Sequence, residues 1–153
     1  MHNVLIRRFA PAMVLAFALT AACDNPVEPD DHPEAGGVVI LNASTGAVLA
    51  QVVGANVDFA TALTLTMGVP LEVEILFLDA DDPTNLALAF HPHADEDESL
   101  RVAITNEAIV EYHDHNDHGD FEPVAVGQTT ARIFLDHGGH ADFRSGFLTI
   151  NVQ

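Results

Sequence analysis

From Val38 to the C-terminus the apolar residues recur with a period of two, and that period most narrows what the chain can become. In Leu71-Glu72-Val73-Glu74-Ile75-Leu76-Phe77, the residues Leu71, Val73, Ile75 and Phe77 share a face. Thr129 to Asp136 sets Ala131, Ile133 and Leu135 against Arg132 and Asp136, and Phe147 to Val152 sets Leu148, Ile150 and Val152 against Thr149 and Asn151. Successive side chains of a strand point to opposite faces, so this alternation reads as strands with one buried and one wet face. Further strands are expected at 38–42, 47–53, 57–66, 86–90, 100–105, 108–113 and 121–126. Turn signals separate them, among them Ser44-Thr45-Gly46, Gly54, Gly68, Asp82-Pro83, Asn106, Gly119, Gly127 and Gly138-Gly139. Many short strands without a sustained 3.6-residue period predict an all-β fold, an antiparallel sandwich or barrel. A chain of 153 residues suits one such domain, and 48% hydrophobic residues with nine Phe can fill its core.

The first 37 residues break the pattern. Met1 to Arg8 ends in two Arg, Phe9 to Leu19 is apolar, and Thr20-Ala21-Ala22-Cys23 follows. A basic start, a short apolar run and small residues make a secretory signal of residues 1–22. The run is shorter than the ~20 residues that span a bilayer. Ala21-Ala22-Cys23 resembles the lipobox of bacterial lipoproteins. That resemblance implies a diacylated Cys23 as the mature N-terminus and a lipid bilayer as anchor. The implied location is the cell envelope: the periplasmic side of the inner or outer membrane, or the cell surface. Cys23 is the only Cys, which excludes an internal disulfide and a thiolate metal site. Residues 23–37, with three Pro and five acids, read as an extended tether in which His32 is solvated.

Charge excludes other partners. All five cations are Arg, against 23 acids, for a formal net charge of −18. Removing residues 1–22, which hold two Arg and no acid, deepens it to −20. Such a chain cannot present the cationic face that nucleic acid or an anionic membrane surface requires.

Leu63-Thr64-Leu65-Thr66-Met67-Gly68 followed by Leu71-Glu72-Val73 resembles the opening strands of bacterial immunoglobulin-like domains. Val124-Ala125-Val126-Gly127-Gln128-Thr129-Thr130-Ala131-Arg132-Ile133 resembles their late hairpin. The resemblance covers roughly 60–153 and implies an immunoglobulin-like antiparallel β-sandwich living outside the cytoplasm. Within a domain of 38–153, residues 38–53 are then an extra N-terminal hairpin.

Those family patterns contain no His-rich loops, yet seven of the nine His here fall between 91 and 140. They form His91-Pro92-His93, then His113-Asp114-His115-Asn116-Asp117-His118, then His137-Gly138-Gly139-His140. In a strand, i and i+2 face the same way, so His91/His93 and His113/His115 can each offer two imidazoles to one site. If each connection reverses direction, all three clusters land at one end of the sandwich. Imidazole with carboxylate and without thiolate suits Zn²⁺ or Cu²⁺. The foremost candidate ligands are His113, His115, His137 and His140, followed by His91, His93, His118 and Asp120. The reading is a lipid-anchored protein that binds a divalent transition metal, with no enzymatic activity expected. The acid run 95–98 reads as a solvated loop, and Asp79-Ala80-Asp81-Asp82 as an acid-rich turn.

Two other functions fit. One is a structural or adhesive immunoglobulin-like module whose His merely decorate an acidic surface. The other is an enzyme: Phe90-His91-Pro92-His93 is similar to the Phe-His-x-His strand of copper–zinc superoxide dismutases. The paired disulfide cysteines and the Gly-Asp-Leu-Gly segment of those enzymes are absent from this sequence. Ser145-Gly146 lacks the setting of a nucleophile elbow.

Overall fold

A computed structural model describes residues 34–93, 97–115 and 118–153. The signal, Cys23, His32 and the tether as far as residue 33 lie outside the described residues, as do the acids Asp95, Glu96 and Asp117.

The fold is all-β, with ten strands in two sheets among the described residues. The strands are β1 (Ala35–Asn42), β2 (Val48–Val53), β3 (Leu63–Leu65), β4 (Leu71–Asp79) and β5 (Glu98–Ile104). They continue as β6 (Val110–Asp114), β7 (Gly119–Pro123), β8 (Gly127–His137), β9 (His140–Arg144) and β10 (Leu148–Val152). The first sheet runs in the order β2-β1-β4-β7-β6 and the second β3-β10-β8-β5, with β9 also on β8. All pairings are antiparallel except β3 with β10.

The predicted alternation is the observed burial. Val73, Ile75 and Phe77 of β4 face Ala131, Ile133 and Leu135 of β8 and Leu148, Ile150 and Val152 of β10 in one shared core. Phe77 and Phe143 meet edge to face across the sheets, with centroids 5.9 Å apart. Residues 38–53 form a hairpin whose first strand is also hydrogen-bonded to β4, so it extends the first sheet.

Four expectations change in detail. β1 begins at Ala35, inside the expected tether, because Gly36 and Gly37 fit closely against the backbone of Ala80 and Val52. Of 57–66, only Leu63–Leu65 is strand. Its first residues instead bond to the stretch before β10: Phe59 N–H donates to Phe147 (3.0 Å) and Gly146 N–H to Val57 (2.8 Å). Residues 86–90 are not a strand. Asn85 caps a 3₁₀ turn at Leu86–Leu88, its Oδ1 accepting from Ala87 N–H at 3.2 Å, and only Phe90 rejoins the sheet, opposite Phe77. The expected loop 137–145 is a tight hairpin, since Gly138 and Gly139 hold φ of 55° and 92° as a two-residue turn between β8 and β9 requires.

Strands β9 and β10 are one course interrupted by a bulge. Arg144 pairs with Phe134 and Leu148 with Ala131, so the register slips by one residue between them. Ser145 repairs the gap. Its hydroxyl accepts from Ile133 N–H at 2.9 Å and donates to the Gly146 carbonyl at 2.8 Å. Ser145 is fully buried and engaged, which disposes of it as a nucleophile.

Strand β5 is antiparallel to β8, and β6 to β7. The turns 105–109 and 124–126 therefore share one end, where Val124 N–H donates to Ile109 at 2.9 Å. His115 and His118, which flank β6 and β7, and the turn 138–139 lie at the other end of those strands.

Candidate metal centre

Strand β6 alternates Val110 inward, Glu111 outward, Tyr112 inward and His113 outward, while β7 sends Phe121 inward and Glu122 and Asp120 outward. Register sets Glu111 opposite Glu122 and His113 opposite Asp120. The outcome is a group of Glu111, His113 and Glu122 whose ligand atoms all lie within 4.8 Å of one another. His113 Nε2 is 3.1 Å from Glu122 Oε2 and 3.7 Å from Glu111 Oε2. The three side chains are 43–53% exposed, so solvent ions reach them.

The rest of this outer face continues the theme. His115 Nε2 meets Asp120 Oδ1 at 2.7 Å, and its backbone N–H donates to His118, whose ring lies 5.3 Å away. Asp120 also faces Glu72 on β4. His91 Nε2 meets Glu74 Oε1 at 3.0 Å. A surface depression of about 370 Å³ is lined by Ala43, Glu72, Glu74, His91 and His118.

Not every expected pair converges. His91 and His93 part company because 91–93 is not strand, and the two-residue repeat does not apply there. His93 turns back to stack on Phe90, with centroids 6.0 Å apart, and its Nε2 is buried without a partner among the described residues. Its backbone N–H donates to Glu98 Oε2 at 2.9 Å. Glu98 is only 5% exposed and belongs to β5, which corrects the solvated-loop reading of that residue. The Phe-His-x-His stretch thus offers one outward imidazole and one tucked inward.

His113 lies on the outer face of β6 and His115 one residue past its end, and each has its own carboxylate partners. His137 and His140 meet across the Gly138-Gly139 turn, with rings 5.9 Å apart. They close on opposite oxygens of Asp142, at 3.0 and 2.9 Å, so the carboxylate lies between the rings. This pair belongs to the second sheet, whereas His91, His113, His115 and His118 gather on the first. Six of the seven His therefore lie on two separate surfaces, and His93 turns inward.

Glu72, Glu74, Glu111 and Glu122 were missed as site residues by sequence reasoning centred on loops. The signal was present: Glu111 and His113 are two apart in a strand, and so are Glu72 and Glu74. Beneath the face, Tyr112 packs on Phe121 at 5.1 Å, and its ring fills the space beside Gly119 that a Cβ would need. Burial, then the charges of Asp114 and Asp120, push the Tyr112 hydroxyl pKa well above the usual tyrosine value. Asp79 Oδ1 accepts from Asp81 N–H at 2.8 Å, a turn that occupies this carboxylate within its own loop.

Comparison with protein-family models and with curated proteins gives no match, so the chemistry of the site rests on its own geometry.

Proposed function

We propose that this protein binds a divalent transition metal, Zn²⁺ or Cu²⁺, on the outer face of its first sheet, at the cell envelope and held to lipid through Cys23. The observation that carries the metal reading is the Glu111–His113–Glu122 group. In a tetrahedral zinc site with bonds of about 2.0–2.2 Å, ligand atoms lie roughly 3.3–3.6 Å apart. The imidazole–carboxylate separations of 3.1 and 3.7 Å bracket that spacing. Two carboxylates and one neutral imidazole also balance the charge of a divalent ion. Glu111 and Glu122 stand directly opposite each other, where like charges cost stability unless a cation lies between them.

The distribution of charge supports the same reading. Each Arg of the domain has a partner on or beside the second sheet. Arg101 forks onto Asp136 and stacks over Phe134, Arg132 stacks over Phe147, and Arg144 Nε donates to Asn56 at 2.8 Å. The face of the first sheet carries carboxylates and imidazoles, a setting that raises the local concentration of cations. A role in holding, delivering or sensing the ion follows from exposed ligands that solvent ions reach without the fold opening.

Calorimetric titration of the chain from Asp24 onward at pH 7.5 tests this. Saturable heat with Zn²⁺ or Cu²⁺ is expected, weakened at least tenfold by H113A, because that change removes the only nitrogen ligand of the group. Absence of heat with both ions overturns the proposal.

A further inference from the structure

We infer that the free edge of β2 pairs with β2 of a second copy of this chain, antiparallel and about a two-fold axis, so that the first sheets of two copies join into one. The inference does not rest on the metal reading, because β1, β4 and β7 separate β2 from β6, the strand of Glu111 and His113.

The first observation is where charge is missing. Ala35 to Val57 contains no Asp, Glu, Lys, Arg or His, the longest such run in a chain with 23 acids, five Arg and nine His. This run folds as the β1–β2 hairpin, and β2 (Val-Leu-Ala-Gln-Val-Val) is its outer strand. Among the described residues β2 pairs with β1 alone, so the backbone groups along its other side have no strand partner.

The second observation is how the other edges are treated. β5 carries Glu98 and Arg101, β6 carries Glu111, His113 and Asp114, β9 carries His140, Asp142 and Arg144, and β3 is only three residues long. Charge and shortness are means by which sheet edges resist pairing with another chain. β2 has neither. A bulge at Ile40 and Leu41 disturbs only its start, and Ala50 to Val53 pair one to one with Ile40 to Gly37. Val48 and Val53 are 48% and 45% exposed. Ala50 and Val52 are buried, so Gln51 points to the opposite face, where its row across the sheet is Val39 and Leu76, again uncharged.

Charge also selects the occupant. Two copies that each carry a formal −18 repel wherever their carboxylates meet. A cationic partner would seek those carboxylates. A second copy must avoid them, and the β2 edge is where it can. Antiparallel pairing of a strand with its own copy uses up both edges and closes at the dimer. Six residues at ~3.4 Å each give an edge of ~20 Å, a small interface and hence a reversible dimer.

The test is sedimentation equilibrium of the full-length chain in density-matched detergent, with amide hydrogen exchange followed at low and high protein concentration. A monomer–dimer equilibrium is expected, with slower exchange at alternate amides of 48–53 in the dimer. Q51E, which changes charge and barely changes shape, should raise the dissociation constant roughly fivefold or more, since like charges beside the axis oppose pairing. V126E adds the same charge on the β7–β8 turn, at a residue 70% exposed, and should leave the constant unchanged. Raising NaCl should tighten the dimer by screening the repulsion between copies. Chance sharing of a micelle is insensitive to Q51E and so is not mistaken for pairing. A single-chain mass at every concentration up to ~1 mM overturns the inference. So does a dimer that Q51E weakens no more than V126E, one that NaCl dissolves, or one whose protection appears outside 48–53. Far-UV circular dichroism reports folding. Should Q51E lose its sheet signal, V53E, altered at an exposed side chain of the same strand, decides by the same comparison.

Discussion

Tyr112 buries a hydroxyl that has no partner among the described residues. Its ring is useful: it packs on Phe121 and abuts Gly119, where β7 begins beside the His-bearing loop. Its oxygen is a liability, because a buried hydroxyl without a hydrogen bond costs about 1–3 kcal/mol. Ionising it costs more, since burial and the charges of Asp114 and Asp120 raise its pKa. A raised folded-state value means the fold favours the neutral phenol. The associated stability is complete below the unfolded value near ~10 and is lost as pH rises through the folded value. Tyr112 is the only tyrosine and there is no Trp, so tyrosinate absorbance reports this one group. We expect that absorbance to rise together with unfolding in an alkaline titration, not before it. Y112F should flatten the alkaline loss of stability and raise stability at neutral pH by about 1 kcal/mol. Ionisation at the ordinary pH in a chain that is still folded would contradict this account.

At the scale of elements, the bulge between β9 and β10 is a single point on which two ladders depend. Ser145 Oγ stands in for the carbonyl that Ile133 N–H would otherwise lack. S145A leaves that N–H buried and unpaired, a loss of about 1–3 kcal/mol, to be read from the urea midpoint; S145T, which keeps the hydroxyl, should recover part of it. No sequence pattern announced this device, because Ser145 works through a register slip that only the paired strands define. Strands β4, β8 and β10 were legible because their inner positions are apolar, Thr129 of β8 excepted. Residues 86–90 were not, since alternation in Leu86-Ala87-Leu88-Ala89-Phe90 competes with the cap at Asn85, and the cap prevails. The His clusters were visible in the sequence, but the partners each His meets were not. Those partners depend on which strands are neighbours: β6 and β7 bring Glu122 to His113, and a bridge at Phe90 brings His91 to Glu74. The carboxylates completing the group were readable from alternation alone, had the strands rather than the loops been searched.

At the scale of the whole molecule, the two sheets divide the charge between them. The second sheet holds Arg101 and Arg132 over aromatic rings, and Arg101 is also paired with Asp136, so these cations are engaged away from the first sheet. A chain with a formal charge of −18 repels itself, and carboxylates face each other directly where Glu111 and Glu122 pair on β6 and β7. On the proposed function, a bound metal would relieve this repulsion locally and, as a ligand of the folded state alone, would stabilise the fold by RT ln(1 + [L]/Kd). At a free Zn²⁺ concentration 100-fold above Kd, that is about 2.7 kcal/mol per site. For a domain of this size the melting temperature should rise on the order of 10 °C, and EDTA should reverse the rise. Protons compete for imidazole nitrogen, so the rise should shrink as pH falls below ~6.5. Added NaCl should act oppositely on the two forms, raising the melting temperature of the metal-free chain by screening its repulsion while reducing the increment due to Zn²⁺. Differential scanning calorimetry at two salt concentrations separates these effects. A Zn²⁺ increment that persists unchanged in a chain carrying H113A would show that the ion acts elsewhere on this acidic surface.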